Sequence, residues 1–278
     1  MTARTPSRIG FFDRIRTGWT LTKDSASVVR DNPELLFFPL LAGIASAGFL
    51  VVFFVPMLVA NLVGSGLEYA ALFVWYFATT FLSTYAAAAL VHATNDVFHG
   101  RDPSVRGSLS AVRTRLGPIV AWSLISATVS VILKSLEDSD NPIAGILGML
   151  FSIGWAIMTF FIVPVIVFED VSVTSMFSRS AETFRDTWGE TLGAGFGVTL
   201  VVGVFGLVLA VAAIAVSLLL ATVSPLAGGV TAVVLLVGVL GLTYLLSQTI
   251  WAVAKTALYV YAAEGRTPSQ FENFEFET

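Results

Sequence analysis

Long apolar runs separated by short polar stretches dominate the chain, near residues 35–61, 67–97, 117–136, 143–168, 191–222 and 228–262. A hydrocarbon core about 30 Å thick takes about 20 helical residues to cross, so each run is long enough for one passage. The pattern predicts about six transmembrane helices. Several runs open with helix-starting chemistry: Asn32-Pro33 before the first, Gly117-Pro118 at the third and Asp140-Asn141-Pro142 before the fourth, where proline suits the first turn. The second, fifth and sixth runs exceed the bilayer requirement, which predicts tilted helices or helices that project beyond it. Pro56 and Pro164 fall inside spans one and four and are expected to kink the helix or free a carbonyl.

Between the runs, a second pattern repeats three times. Phe11, Ile15, Trp19, Thr22, Ala26 and Val29 recur at helical spacings of three or four, with Arg16, Lys23 and Arg30 off that stripe. Val105, Leu109, Val112 and Leu116 repeat the spacing before span three. Val173, Phe177, Ala181, Phe184 and Trp188 do so before span five. An apolar face with aromatics opposite an arginine-bearing face suits a helix lying in the membrane interface beside anionic headgroups. The exits from the spans echo one another too: His99-Gly100-Arg101-Asp102-Pro103-Ser104 resembles Glu264-Gly265-Arg266-Thr267-Pro268-Ser269, with Glu169-Asp170-Val171-Ser172 as the counterpart after span four.

The predicted fold is therefore all-α, a polytopic transmembrane helical bundle of about six spans arranged as three hairpins, each preceded by an amphipathic interfacial helix. It is expected to form a single transmembrane domain over 1–278, with a cytoplasmic amphipathic segment at 1–34, the bundle at 35–263 and a cytoplasmic tail at 264–278. Parallel repeats of this kind occur in transporters that bind substrate between repeats. Duplication of a hairpin is equally a simple way to build a bundle.

Composition agrees with the span pattern. The chain of 278 residues is 56% hydrophobic and 12% charged, against roughly half and a quarter in globular proteins, so the apolar excess must face lipid. Orientation follows from the basic residues. Arg4, Arg8, Arg14, Arg16, Lys23 and Arg30 precede span one, and Arg101, Arg106, Arg113 and Arg115 lie between spans two and three. Arg179 and Arg185 follow span four and Arg266 follows span six, whereas the alternate connections hold no arginine and only Lys134 stands beside one. The positive-inside rule then predicts a multi-pass protein of the cell membrane with both termini cytoplasmic. Only tight turns remain outside, too little for a receptor of external proteins. The polar residues before the first run do not read as a cleavable signal, so the first span is expected to direct insertion. With no cysteine, disulfides, thiol nucleophiles and thiolate metal sites are excluded. A net charge of −4 and the absence of a basic domain argue against a nucleic-acid partner. No cofactor is expected, because no Walker loop, His-Glu-x-x-His, Gly-x-Ser-x-Gly or dinucleotide fingerprint is present.

Charges inside spans are functional candidates, because a charge at the bilayer centre costs at least roughly 2.5 kcal/mol. His92, Asp96 and His99 follow at spacings of four and three near the inner end of span two, with Asn95 beside them. That spacing suits a proton relay or metal ligation, and it equally suits a polar helix end at the headgroup layer. Lys255 in span six stands nine residues before Glu264, about 13 Å along a helix. It can snorkel to the interface or pair with Asp96 or Glu169. His92, Asp96, Glu169 and Lys255 are thus the candidate polar or transport site. Phe11, Ile15, Trp19, Phe177, Phe184 and Trp188 are the candidate membrane-interface residues. Gly189, Gly193 and Gly197 recur every four residues at the start of span five, a spacing that lets helices approach closely. No catalytic or metal-binding set is complete, and the protein is not expected to be an enzyme.

Several stretches carry a family likeness: Pro33-Glu34-Leu35-Leu36-Phe37-Phe38-Pro39-Leu40-Leu41, Val163-Pro164-Val165-Ile166-Val167-Phe168-Glu169, Arg179-Ser180-Ala181-Glu182-Thr183-Phe184, Thr187-Trp188-Gly189-Glu190, Thr256-Ala257-Leu258-Tyr259 and Tyr261-Ala262-Ala263-Glu264-Gly265. With these the chain resembles an uncharacterised prokaryotic integral membrane family, domain of unknown function 6159. The resemblance implies a polytopic membrane protein and brings no activity, cofactor or catalytic residue with it. Two functions stay open: a non-enzymatic scaffold or interaction protein at the cytoplasmic leaflet, and a small transporter or channel with a polar site near the inner ends of spans two, four and six. The expected partners are membrane lipids, with a second copy of the chain or other membrane proteins as further possibilities.

Overall fold

The computed structural model describes residues 11–59, 68–139, 141–265 and 267–271, and within them the side chains of all but 11–18, 58–59, 142, 188–194 and 196. The described residues form ten α-helices and no strand: α1 (Phe11–Asp31), α2 (Phe37–Val59), α3 (Glu68–Phe98), α4 (Val105–Val112), α5 (Leu116–Glu137), α6 (Pro142–Thr159), α7 (Ile162–Phe168), α8 (Val173–Asp186), α9 (Trp188–Ala221) and α10 (Pro225–Glu264). Six stretches are long and apolar enough to cross a membrane: Pro33–Met57, Glu68–Phe98, Val105–Glu137, Ile143–Phe168, Gly197–Ala221 and Pro225–Glu264. Their large apolar side chains stand outward, with Val52 73%, Leu219 70% and Leu240 69% exposed. A soluble monomer rarely shows so much contiguous apolar surface. This is an all-α polytopic bundle whose solvent is lipid.

The helices fall into two compact units, one holding α2 to α8 and the other α1, α9, most of α10 and the tail turn. Within the first, α2 and α3 pair through Phe49 and Phe54, whose rings lie 6.0 and 5.4 Å from that of Trp75. α3 and α5 are tied by a buried hydrogen bond from the Trp122 indole N–H to Thr84 Oγ1, 3.1 Å. Trp122 also stacks on Trp155 of α6 at 5.7 Å. One aromatic side chain thereby joins three helices, and its polar edge is satisfied where no water could serve it.

Gly117-Pro118 stands at the start of α5, as expected for span three, and α4 runs through a 3-10 turn at Arg113–Arg115 directly into it. Pro118 sits in the first turn of α5, where a missing N–H removes no bond that the helix needs. α4 itself is capped by Ser104, whose Oγ accepts from Gly107 N at 3.1 Å, and it is held to α3 by the Tyr85 hydroxyl, which donates to the Leu109 carbonyl at 2.7 Å.

Span four is broken, as Pro164 leads one to expect, whereas α2 continues through Pro56. Pro164 has no N–H to offer the Phe160 carbonyl, and the helix interrupts there between α6 and α7. The Phe161 N–H donates to Ser180 Oγ of α8 at 3.0 Å in a buried position. A backbone N–H left unsatisfied in hydrocarbon costs several kcal/mol, and the α8 serine supplies an acceptor at the break.

In the second unit α1 packs along α9, and the 3-10 turn Ser269–Phe271 after span six also reaches α1, with Phe271 fully buried. The buried face of α1 is Leu21, Thr22, Ser25, Val28 and Val29, rotated from the expected stripe so that it centres on a serine. Trp19 and Ala26 of that stripe are only half-buried, and the side chains of Phe11 and Ile15 lie outside the described residues. The same arrangement recurs on the other two short helices. Ser25, Ser108 and Ser180 are all buried; each precedes an apolar residue by four positions (Val29, Val112, Phe184) and an arginine by five (Arg30, Arg113, Arg185). A small side chain at that point lets a helix seat closely. Spans two and six also stop in the same way, with Gly100 and Gly265 at φ 69° and 64°, the left-handed conformation that suits glycine.

Two predictions follow from these contacts. Ser180 serves a backbone N–H, whereas Ser108 Oγ is buried without a partner among the described residues. Ser180→Ala should therefore cost about 1–3 kcal/mol in thermal unfolding of the detergent-solubilised protein, while Ser108→Ala is neutral or stabilising. On α1, Asp24 Oδ2 is likewise buried and unpartnered, and burial raises its pKa above the ordinary 3.8, with nearby Lys23 opposing. The folded carboxyl then holds its proton more tightly than the unfolded one, so Asp24 removes stability as pH climbs from 3.8 through the raised folded value. Asp24→Asn should be more stable than wild type at pH 7 and should flatten that part of the pH–stability curve.

Candidate functional site

The C-terminal end of α3 carries the first polar group. His92 Nδ1 lies 3.4 Å from Asp96 Oδ2, within ion-pair distance yet without hydrogen-bond geometry. Asp96 is taken instead by Arg101, whose Nη2 and Nε approach Oδ1 at 2.6 and 3.0 Å. The chain brings Arg101 back because Gly100 turns left-handed and the Arg101 N–H closes on the Asp96 carbonyl at 2.9 Å. His99 folds against its own helix, donating through Nδ1 to the Asn95 carbonyl at 2.7 Å. The His92–Asp96–His99 face therefore does not converge, and no three metal-ligating side chains gather among the described residues.

The second group lies where α7 ends. Glu169 Oε1 accepts from Arg179 Nε at 2.7 Å, and the same guanidinium reaches Glu182 through Nη1 at 3.2 Å. The next residue, Asp170, accepts from Arg115 Nη1 at 3.2 Å. The acidic pair Glu169-Asp170 is thus held by α8 through one arginine and by the α4–α5 junction through another. Asp96 and Glu169 are each only 20% exposed, so removing either arginine would leave a partly desolvated carboxylate without its counter-charge. The arginines, absent from the expected site, complete it. Their only sequence signal was an excess of arginine near span ends, with partners up to 55 positions away.

Lys255 belongs to the other unit. Its Nζ lies 5.7 Å from the ring centroid of Trp251 on the preceding turn, within cation–π range. Lys134, at the far end of span three, pairs with Asp138 at 2.7 Å.

Of the expected interface residues, Phe177 and Phe184 are engaged inside the first unit. Phe177 packs against Trp155 and Trp122 at 5.8 and 6.0 Å, and Phe184 meets Phe160 edge-on at 5.4 Å. Aromatic faces close to other aromatics gain more from packing than from headgroups. Trp19 remains half-exposed with Lys23 Nζ 5.4 Å from its ring. The Trp188 side chain and the surroundings of Gly189 and Gly193 lie outside the described residues, while Gly197 is buried. The close approach on α9 comes further along, at Gly206, where an added Cβ would lie 2.9 Å from Thr243 Oγ1 of α10.

No curated protein and no solved structure matches the chain. The model of a family of unknown function, DUF6159, matches residues 66–269, which takes in spans two to six and the short helices between them. With that much of its length matched, the chain belongs to the DUF6159 family.

Proposed function

We propose that this protein is a non-enzymatic scaffold of the cell membrane, with α1, α4, α8 and both termini on the cytoplasmic side, that organises lipids or other membrane proteins at the inner leaflet. The observation that carries this reading is the use made of the charged residues. Asp96, Glu169 and Asp170 are each occupied by an arginine, which fixes α4 and α8 to the span ends instead of leaving carboxylates free for a moving ion. The result is a set of short helices held to the span ends by ion pairs.

A transporter or channel is the second reading, and one observation favours it. His92 Nδ1, Thr94 Oγ1 and Asn95 Oδ1 are buried at the inner end of α3 without a hydrogen-bond partner among the described residues. Buried polar atoms in that state call for water, and water beside Asp96 would begin a polar path. Flux in proteoliposomes separates the two. The scaffold reading expects proton and potassium leak no faster than in empty liposomes, unchanged by Asp96→Asn or Lys255→Met; a flux that either substitution abolishes overturns it.

A further inference from the structure

Among the described arginines, Arg30, Arg101, Arg115, Arg179 and Arg185 each lie within 3.4 Å of a carboxylate. Arg106 and Arg113 are exposed and meet none among the described residues. They stand seven positions apart on the α4 segment, two turns and about 10 Å along one side. The contrast with the other short helices is direct. Arg30 and Arg185, which correspond to Arg113, are each followed by an aspartate that holds the guanidinium at 3.1 and 3.4 Å. Arg113 is followed by Thr114.

The depth of these two arginines follows from the length of span three. From Arg113 to Lys134 the helical path is about 32 Å at 1.5 Å per residue, and residues 116–133 carry no charged side chain. That matches a hydrocarbon core of about 30 Å. Arg113 therefore sits at one headgroup layer when the Lys134–Asp138 pair sits at the other, and Arg106 lies beyond it, across the depth of a headgroup. Directly below, Leu116, Val120 and Leu124 are 38%, 36% and 41% exposed. Between them Gly117 leaves a shoulder where an added Cβ would meet nothing within 4 Å.

We propose that this face of span three is a binding site for an anionic phospholipid, its phosphate between the Arg106 and Arg113 guanidiniums and one acyl chain along Gly117, Val120 and Leu124. A guanidinium matches phosphate geometry. A phosphatidylcholine or phosphatidylethanolamine headgroup brings an ammonium back against the arginines, so a headgroup without a cation, as in phosphatidylglycerol, is preferred. The site deepens the scaffold reading and rests on it for assigning this face to the inner leaflet.

The full chain in detergent, titrated with dioleoyl phosphatidylglycerol or dioleoyl phosphatidylcholine and read by native mass spectrometry, tests the site. Wild type should retain phosphatidylglycerol in preference to phosphatidylcholine. At about 1 kcal/mol per arginine, R106Q and R113Q should each weaken phosphatidylglycerol roughly fivefold and the double variant about thirtyfold, with elution volume and helical circular dichroism unchanged. R185Q should retain wild-type affinity. V120A/L124A should weaken the lipid without affecting glycerophosphoglycerol, which itself should compete poorly. Retention of phosphatidylglycerol by the double variant, an equal loss in R185Q, or competition by glycerophosphoglycerol or inorganic phosphate at the lipid's own concentration would each overturn the site, the last by making it a soluble-anion site. A flux in proteoliposomes overturns the scaffold reading instead, so the two failures are read by different measurements.

Discussion

A backbone N–H or a charge left unsatisfied in hydrocarbon costs several kcal/mol, and the organisation of this chain follows from avoiding that cost. Span three carries no charged side chain between Arg113 and Lys134 beyond Arg115 at its start. Where span four breaks at Phe160 and Phe161, Ser180 accepts from the Phe161 N–H. At the C-terminal ends of α3 and α7, arginines close on Asp96 and Glu169. The short helices therefore have a structural duty before any other. α8 satisfies the break and holds Glu169, and the α4–α5 junction holds Asp170.

This duty changes the meaning of the amphipathic pattern. A free interfacial helix turns its apolar face to acyl chains, whereas α1 packs on α9 and buries Leu21, Ser25 and Val28, and α8 commits Phe177 and Phe184 to aromatic neighbours. What such helices offer to the membrane is their outer, arginine-bearing side. Among the arginines of the short helices whose side chains are described, Arg106 and Arg113 meet no carboxylate, which is why the proposed lipid site lies there.

The spans were readable to within a few residues, because a run of apolar residues is a one-dimensional signal that needs no partner. Helix stops at Gly100 and Gly265 were readable for the same local reason. The rotation of the buried α1 face was not, since hydrophobicity cannot distinguish Ser25, which is buried for its size, from a serine that faces water. Nor could the sequence show that Arg115 meets Asp170 or that Arg179 meets Glu169. It pointed to His92, Asp96, Glu169 and Lys255 as a set, and the arginines that take the two carboxylates lie outside the spans. Gly117-Pro118 was legible as the start of α5, whose first turn accommodates the proline.

The central proposal is topological: the positive-inside rule assigns α1, α4, α8 and the tail turn to the cytoplasmic side, and everything proposed about lipid depends on it. Because the chain contains no cysteine, single substitutions report on it directly. Cells expressing S139C, V223C, S27C, S110C, S178C or S269C are treated with a membrane-impermeant maleimide before and after permeabilisation. S139C and V223C should label in intact cells, and the other four only once the membrane is opened. Labelling of S110C or S178C in intact cells would contradict the account.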